Sequence, residues 1–241
     1  MFGAHTLSRT PSKTMTFVTQ ARPKPVIKVL LVDDHPIVRQ GIRMLIDQES
    51  DLTVCGEAES EAQALKVIEQ TQPHVAVVDL SLKGSSGLSL TREIHARYPH
   101  IHVLVLSMRD EAFYAERVLR AGAKGYITKE QGSERIIEGI RKVLSGQIYL
   151  SDTLASKMLS MLVAGQDKPG ESPVGRLTDR ELAVFELIGH GLTTRDIAKQ
   201  LYLSVKTVES HREHIKAKLD LAGAPDLLKH AIQWVQCQDI A

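Results

Sequence analysis

Two cysteines in 241 residues leave this chain no means of building a disulfide framework. Cys55 and Cys237 lie far apart, fall in what read as different domains, and match no zinc-ligand spacing. Both read as small incidental residues of a protein kept in a reducing, cytoplasmic compartment. Aromatics make up only 4% of the chain, so its cores must be mainly aliphatic. No apolar run reaches the ~18 residues that a bilayer-spanning helix needs, which argues against a membrane partner. An excess of one charge is missing too. Lys and Arg number 30 against 29 Asp and Glu, a net charge of +1, so any polyanion must be met by a local basic face. The length suits two ordinary domains.

Residues 1–25 carry Arg9, Lys13, Arg22 and Lys24, no acid, and several Ser, Thr and Pro, which predicts a disordered tail. Met15 offers an alternative start. From Val26 onward the pattern alternates. Strand-like runs at Val26–Val32, Leu52–Ala58, His74–Val78, Ile101–Leu106 and Gly125–Thr128 are separated by helical patterns at His35–Gln48, Glu61–Gln70, Leu88–Arg97 and Glu111–Ala121, and Glu134–Leu144 follows. In the first helix Ile37, Val38, Ile42, Leu45 and Ile46 are expected on one side. Such alternation predicts an α/β, doubly wound parallel sheet.

The chemistry of this half centres on His74-Val75-Ala76-Val77-Val78-Asp79, a valine-rich run ending on a carboxylate. In open α/β sheets ligands gather where strands end and loops emerge. The first strand ends on Asp33-Asp34, the fourth on Ser107, the fifth on Lys129. Adjacent acids beside a third give hard oxygen ligands suited to Mg²⁺. A carboxylate can attack a phosphoryl group to give an aspartyl phosphate, and the transferring group wants a metal, a cation and a hydroxyl around it.

Asp33-Asp34, Asp79, Ser107 and Lys129 together resemble the site of a response-regulator receiver domain, and Val32-Asp33-Asp34-His35-Pro36-Ile37-Val38-Arg39-Gln40-Gly41 is similar to the opening of its NarL/FixJ subfamily. The resemblance implies the flavodoxin-like strand order 2-1-3-4-5, with Asp33 and Asp34 beside Asp79. It also implies Mg²⁺ on Asp33, Asp34 and Asp79, and phosphoryl contacts from Ser107 and Lys129. Tyr126 would be the switch aromatic that couples to Ser107, although a buried core tyrosine is the plain alternative. The chain departs from the family at Leu82-Lys83, where many receivers have Met-Pro, but keeps Gly87.

Residues 149–173 change character: a helix over Ser151–Ala164 with Leu154, Met158, Leu159 and Leu162 as its stripe, then a polar Pro/Gly linker. That divides the chain into a tail (1–25), a receiver (26–148), a linker (149–173) and a helical domain of four helices (174–241). In the last, Thr178 with Glu181 predicts a capping box, Thr193 or Thr194 caps a short helix, and Ser204 caps a longer one, Val205–Asp220. Two helices joined by a tight turn at Tyr202-Leu203 read as a helix-turn-helix. The residues Leu177-Thr178, Arg180-Glu181, Asp196-Ile197-Ala198, Thr207-Val208, His211 and Lys218-Leu219 resemble a LuxR-type DNA-binding domain.

In the recognition helix Val208, Ile215 and Leu219 form the expected buried stripe. Lys206, Thr207, Arg212 and Lys216 suit phosphates, and Glu209, Ser210 and Glu213 lie where the family reads base edges. The alternative for the glutamates is a solvated face that compensates neighbouring cations; the two readings are even for Glu213, and readout is the expectation for Glu209. From Val174 onward nine Lys and Arg face nine Asp and Glu, so the domain is neutral and is expected to need pairing. The helix Asp226–Gln236 offers Leu227, Leu228, Ala231, Ile232 and Val235, and the resemblance makes it the dimer contact. His95, His100, His102, His211 and His214 read as scattered surface histidines without ligand companions.

The resemblance therefore implies a non-enzymatic transcription regulator with a sensor histidine kinase, double-stranded DNA, a second copy and RNA polymerase as partners. A phosphohydrolase using Asp79 and a LuxR-type regulator driven by a small molecule are the competing readings. The first lacks an acid two residues after Asp79, and the second lacks aromatics to line a pocket.

Overall fold

The computed structural model describes residues 26–236 apart from 83, 84, 110, 133 and 164–172. The expected N-terminal tail, most of the linker run and Cys237 lie outside the described residues. Five parallel strands form the first half: β1 (Ile27–Val32), β2 (Leu52–Ala58), β3 (Val75–Val78), β6 (His102–Ser107) and β7 (Gly125–Thr128), in the order β2-β1-β3-β6-β7. Counted along the sheet this is the expected 2-1-3-4-5. The missed element is a two-residue hairpin, β4 (Ser81–Leu82) with β5 (Ser85–Ser86), inside what reads as an irregular loop. Its residues lack the β-branched and aromatic types that announce a strand.

Alternating side chains of each strand feed opposite cores, as a period of two requires. Val29, Leu31, Val75, Val77, Leu104 and Leu106 meet α1 (Pro36–Ile46) and α5 (Glu134–Leu144) on one face. Leu30, Val32, Ala76, Val78, Val103 and Val105 meet α2 (Glu61–Thr71), α3 (Gly87–Arg97) and α4 (Glu111–Arg120) on the other. In α1 the expected stripe holds only in part: Ile42 and Ile46 are buried, but Ile37, in the first turn beyond the edge of the sheet, is 83% exposed. Tyr149 closes the sheet edge, its backbone bridging Lys124 and Tyr126. The linker helix α6 (Asp152–Val163) buries Leu154 while Leu159 is exposed, against the expected stripe. A lone helix outside the sheet has one partner surface, which its first turn uses.

The second half is four helices: α7 (Asp179–Gly189), α8 (Thr194–Gln200), α9 (Val205–Leu219) and α10 (Ala224–Gln236). Thr178 and Glu181 make the expected reciprocal capping box, and Thr193 and Ser204 cap α8 and α9. Each cap satisfies amide N–H groups that the helix itself cannot, a contribution of about 1 kcal/mol. Val208 and Ile215 of α9 are fully buried against α7 and α8, while Leu219 is partly buried.

The two halves share a contact. Arg109, in the loop after β6, pairs with Glu186 of α7, which also accepts from the Tyr114 hydroxyl at 2.8 Å. Arg117 of α4 donates to Leu177 O at 2.7 Å and to Asp179 at 3.2 Å, and Arg92 of α3 reaches the same carboxylate at 2.9 Å. Phe113 of α4 lies against Trp234 of α10, ring centroids 4.3 Å apart.

Candidate functional site

The ends of β1, β3 and β7 deliver Asp33, Asp79 and Lys129 to one spot because the parallel strands all finish at the same sheet edge and Lys129 reaches across from β7, two places from β3. Lys129 Nζ donates to Asp33 Oδ2 at 2.6 Å and lies 3.2 Å from Asp79 Oδ2. Asp33 Oδ1 accepts from the His35 backbone N–H at 2.8 Å, which fixes the turn into α1. Asp34 is likewise enclosed, with His35 Nδ1 2.7 Å from its Oδ1, yet that oxygen is buried without a well-formed hydrogen bond. Ligand atoms of Asp33, Asp34, His35 and Asp79 all lie within 4.8 Å of one another.

Burial raises the Asp79 carboxyl to about 6; Lys129 works against this rise and the neighbouring Asp33 adds to it. Burial also works against the charge of Lys129, but Asp79 and Asp33 outweigh it and raise its pKa. Three carboxylates thus gather where one lysine ammonium meets only two of them, Asp33 and Asp79, and one buried oxygen of Asp34 is poorly satisfied. That excess of hard oxygen donors fits a Mg²⁺ ion. Gly87 belongs to the same site: a Cβ there would stand 1.9 Å from the carbonyl oxygen of Asp79, so only glycine lets α3 start so close to the acid.

Ser107 and Tyr126 sit one step back. Both are fully buried; the Tyr126 hydroxyl donates to Arg109 O at 2.8 Å and has the Ser107 side chain as a hydrogen-bonding neighbour. Burial raises the Tyr126 pKa well above its ordinary value, so the ring stays neutral. Tyr126 is a core tyrosine and lies at the expected switch position at once.

A cavity of about 340 Å³ opens over Asp79, walled on one side by Asp34, Leu80 and Lys129 and on the other by Arg180, Gln200 and Tyr202 from the helical domain. Tyr202, in the α8–α9 turn, has φ +53° and faces Asp34, whose charge, followed by burial, raises the phenol pKa.

On α9, Lys206, Glu209, Ser210 and Glu213 are exposed, and Thr207, Arg212 and Lys216 are half-buried. Glu213 pairs with Lys216 at 2.9 Å, the compensating role weighed for it; Ser210 Oγ donates to Lys206 O. The receiver meets α7, the α8–α9 turn and α10 and leaves the expected base-reading side chains open. The side chains that join the halves (Arg92, Arg109, Arg117, Asp179, Glu186, Trp234) were not among the expected site residues. They sit in unrelated sequence contexts and acquire a role only when two separately folded bodies meet.

A receiver-type phosphoacceptor pocket coupled to a helix-turn-helix is the class that this fold and site define. The model of the response regulator receiver domain matches residues 29–141, and that of the bacterial regulatory proteins of the luxR family matches 175–231. The chain is 36% identical over 211 residues to the oxygen regulatory protein NreC of Staphylococcus haemolyticus, covering 86% of this chain and 97% of that one. NreC of Staphylococcus aureus strain MRSA252 matches at the same identity and coverage. Among solved structures it resembles RcsB of Salmonella enterica serovar Typhimurium bound to the rprA promoter with the phosphomimetic BeF3⁻ (TM-score 0.56, 26% identity, 86% of this chain and 98% of that one). It also resembles a LuxR-family two-component response regulator from Aurantimonas (TM-score 0.54, 32% identity, 57% and 99%). The chain belongs to the NarL family of two-component response regulators, which regulate transcription through a receiver and a LuxR-type DNA-binding domain. No described helix is long and apolar enough to cross a membrane.

Proposed function

We propose that Asp79 is the phosphoacceptor and that its phosphorylation releases the DNA-binding half from the receiver. The observation that carries this reading is the triangle of Asp79, Asp33 and Lys129, held at 2.6 and 3.2 Å at the C-terminal edge of the sheet. A carboxylate oxygen of Asp79 attacks the phosphorus of a phosphohistidine on a sensor kinase; the P–N bond breaks and the new acyl phosphate carries the charge. Asp33, Asp34 and Asp79 would hold Mg²⁺, which supplies charge neutralisation at the phosphoryl oxygens. Lys129 then donates to a phosphoryl oxygen, and Ser107 supplies a hydroxyl from β6.

Drawing Lys129 and Ser107 toward the phosphoryl group strains the path that runs from Tyr126 to Arg109 and from Arg109 to Glu186. A switch works only where the phosphate favours one of two states; here these are a docked and a released DNA-binding domain. Release would free α10, whose Leu228 is 42% exposed and whose Ile232 and Val235 are half-buried, for a second copy. Two recognition helices on paired half-sites would then offset the neutrality of a single domain, with Lys206, Thr207, Arg212 and Lys216 on phosphates and Glu209, Ser210 and Glu213 at base edges. RcsB, at 26% identity, has been solved as dimers on DNA, which supports this arrangement. The same reading places the protein in the cytoplasm, with RNA polymerase as a further partner, and gives it no turnover beyond its own phosphorylation and dephosphorylation.

Incubation with acetyl phosphate and Mg²⁺ tests the assignment by intact-protein mass. The wild-type chain is expected to gain one phosphoryl group and Asp79→Asn none, with unchanged circular dichroism. Labelling of the variant on another residue refutes it.

A further inference from the structure

Two histidines of the recognition helix have no part in reading DNA as described above. His211 and His214 are three residues apart on α9, so their rings share one face. Against that face the first turn of α7 presents Glu181, only 3% exposed. The carboxylate is divided between two tasks. Oε2 accepts from Lys218 Nζ at 2.6 Å and from the Thr178 backbone N–H at 2.7 Å. Oε1 instead faces His214 Nδ1 at 3.8 Å. His211 Nδ1 is buried and has no hydrogen-bond partner among the described residues, and a buried polar atom left unmatched is costly. One ligand atom from each of Glu181, His211 and His214 lies within 4.8 Å of the other two. Burial, chiefly, holds the His211 pKa below its usual value.

We propose that Glu181, His211 and His214 form a binding site for a borderline divalent cation of the Zn²⁺ class, distinct from the hard-oxygen pocket of the receiver. Two imidazoles and one carboxylate are a donor set that Zn²⁺ accepts and Mg²⁺ does not prefer. His214, 66% exposed, is free to turn its ring inward, and its exposure leaves a remaining coordination position to water. The ion gives the buried His211 nitrogen the partner it lacks and ties the start of α7 to the middle of the recognition helix. The Lys218 ammonium on the other carboxylate oxygen opposes a second cation and keeps the affinity moderate. A bound ion also adds positive charge beside a domain whose own charges cancel, which favours DNA phosphates.

The test is titration of the full-length protein with Zn²⁺ against a chromophoric chelator, with excess Mg²⁺ present to occupy the receiver acids. The wild-type chain is expected to bind Zn²⁺ at a site whose affinity falls by at least about tenfold in His214→Ala, an exposed substitution that circular dichroism should find folded. His211→Gln is expected to act the same way, and Asp34→Asn to leave the affinity unchanged. Thermal melting should rise with Zn²⁺ in the wild type and not in His214→Ala. Absence of saturable binding, equal affinity in His214→Ala, or a loss that follows Asp34→Asn instead would each overturn the proposal.

Discussion

The acidic pocket and the recognition helix are the two working surfaces of this chain, and they are built in opposite ways. In the pocket Asp33, Asp34 and Asp79 have side chains no more than 5% exposed, and before any ligand arrives the Lys129 ammonium holds Asp33 at 2.6 Å and Asp79 at 3.2 Å while His35 lies 2.7 Å from Asp34. On α9 the intended contacts are exposed or half-buried, and their few bonds are local, Glu213 to Lys216 and Ser210 to Lys206. Phosphoryl transfer needs charges placed in advance, because rearranging them in the transition state would cost the rate that placement gains. DNA supplies its own dense charge, so the reading side chains can settle after contact.

Substitutions at the seam between the two surfaces should have the largest effect. Glu186→Ala leaves Arg109, 13% exposed, without its carboxylate, and loss of a buried charge partner typically costs about 3–5 kcal/mol. Because the pair spans the two halves, that loss should appear as undocking. The expected signs are a red-shifted Trp234 emission and tighter DNA binding without phosphorylation. Unchanged emission would show that docking does not depend on the latch.

Next comes the pocket's stored electrostatic strain. Asp79 has its pKa raised to about 6 in the folded chain, from an ordinary carboxyl value of 3.8. A raised folded pKa means the native state binds this proton more tightly than the unfolded one, so its contribution is favourable at low pH and is lost as pH climbs from about 4 to 6. At neutral pH the deficit is about 3 kcal/mol, at ~1.4 kcal/mol per unit. With Mg²⁺ chelated, Asp79→Asn should therefore be more stable than wild type in urea at pH 7, and the gap should close near pH 4. A variant less stable at both pH values would mean that Lys129 already compensates the acid in full.

On the open surface the effects should be smaller and of a different kind. Glu209→Ala should alter base preference by about 1–3 kcal/mol at one operator position, seen in selection from random DNA. A uniform change across sequences would move Glu209 out of the reading set. Smallest of all, Lys216→Ala should lower the slope of log affinity against log salt by about 1 while leaving sequence preference intact.

Most of the pocket was legible in the chain because each residue sits at a strand end, where a period-two run stops and chemistry begins. Asp79, Asp33 and Lys129 converge as the strand order requires. The recognition helix was legible through Val208 and Ile215, whose spacing separates the buried from the open face. Ile37 and Leu159 misled, since an apolar stripe states which side can be buried and leaves open how far the partner surface extends. Tyr202 at positive φ could not be foreseen, because that conformation ordinarily favours Gly or Asn. Glu181 escaped as a neighbour of His211 and His214 because it lies far from both in sequence, and only the packing of α7 on α9 closes the gap.

Trp234 rests on Phe113 of its own chain, so α10 already has a neighbour before a second molecule comes near. A tethered neighbour competes at a fixed effective concentration, on the order of millimolar for short tethers, whatever the abundance of the protein. A second copy competes at the concentration at which the protein is expressed. For the dimer proposed above through α10, a threshold lies between the two: at low copy number the internal contact is expected to prevail and the response to stay silent, and overproduction alone should begin to trip it.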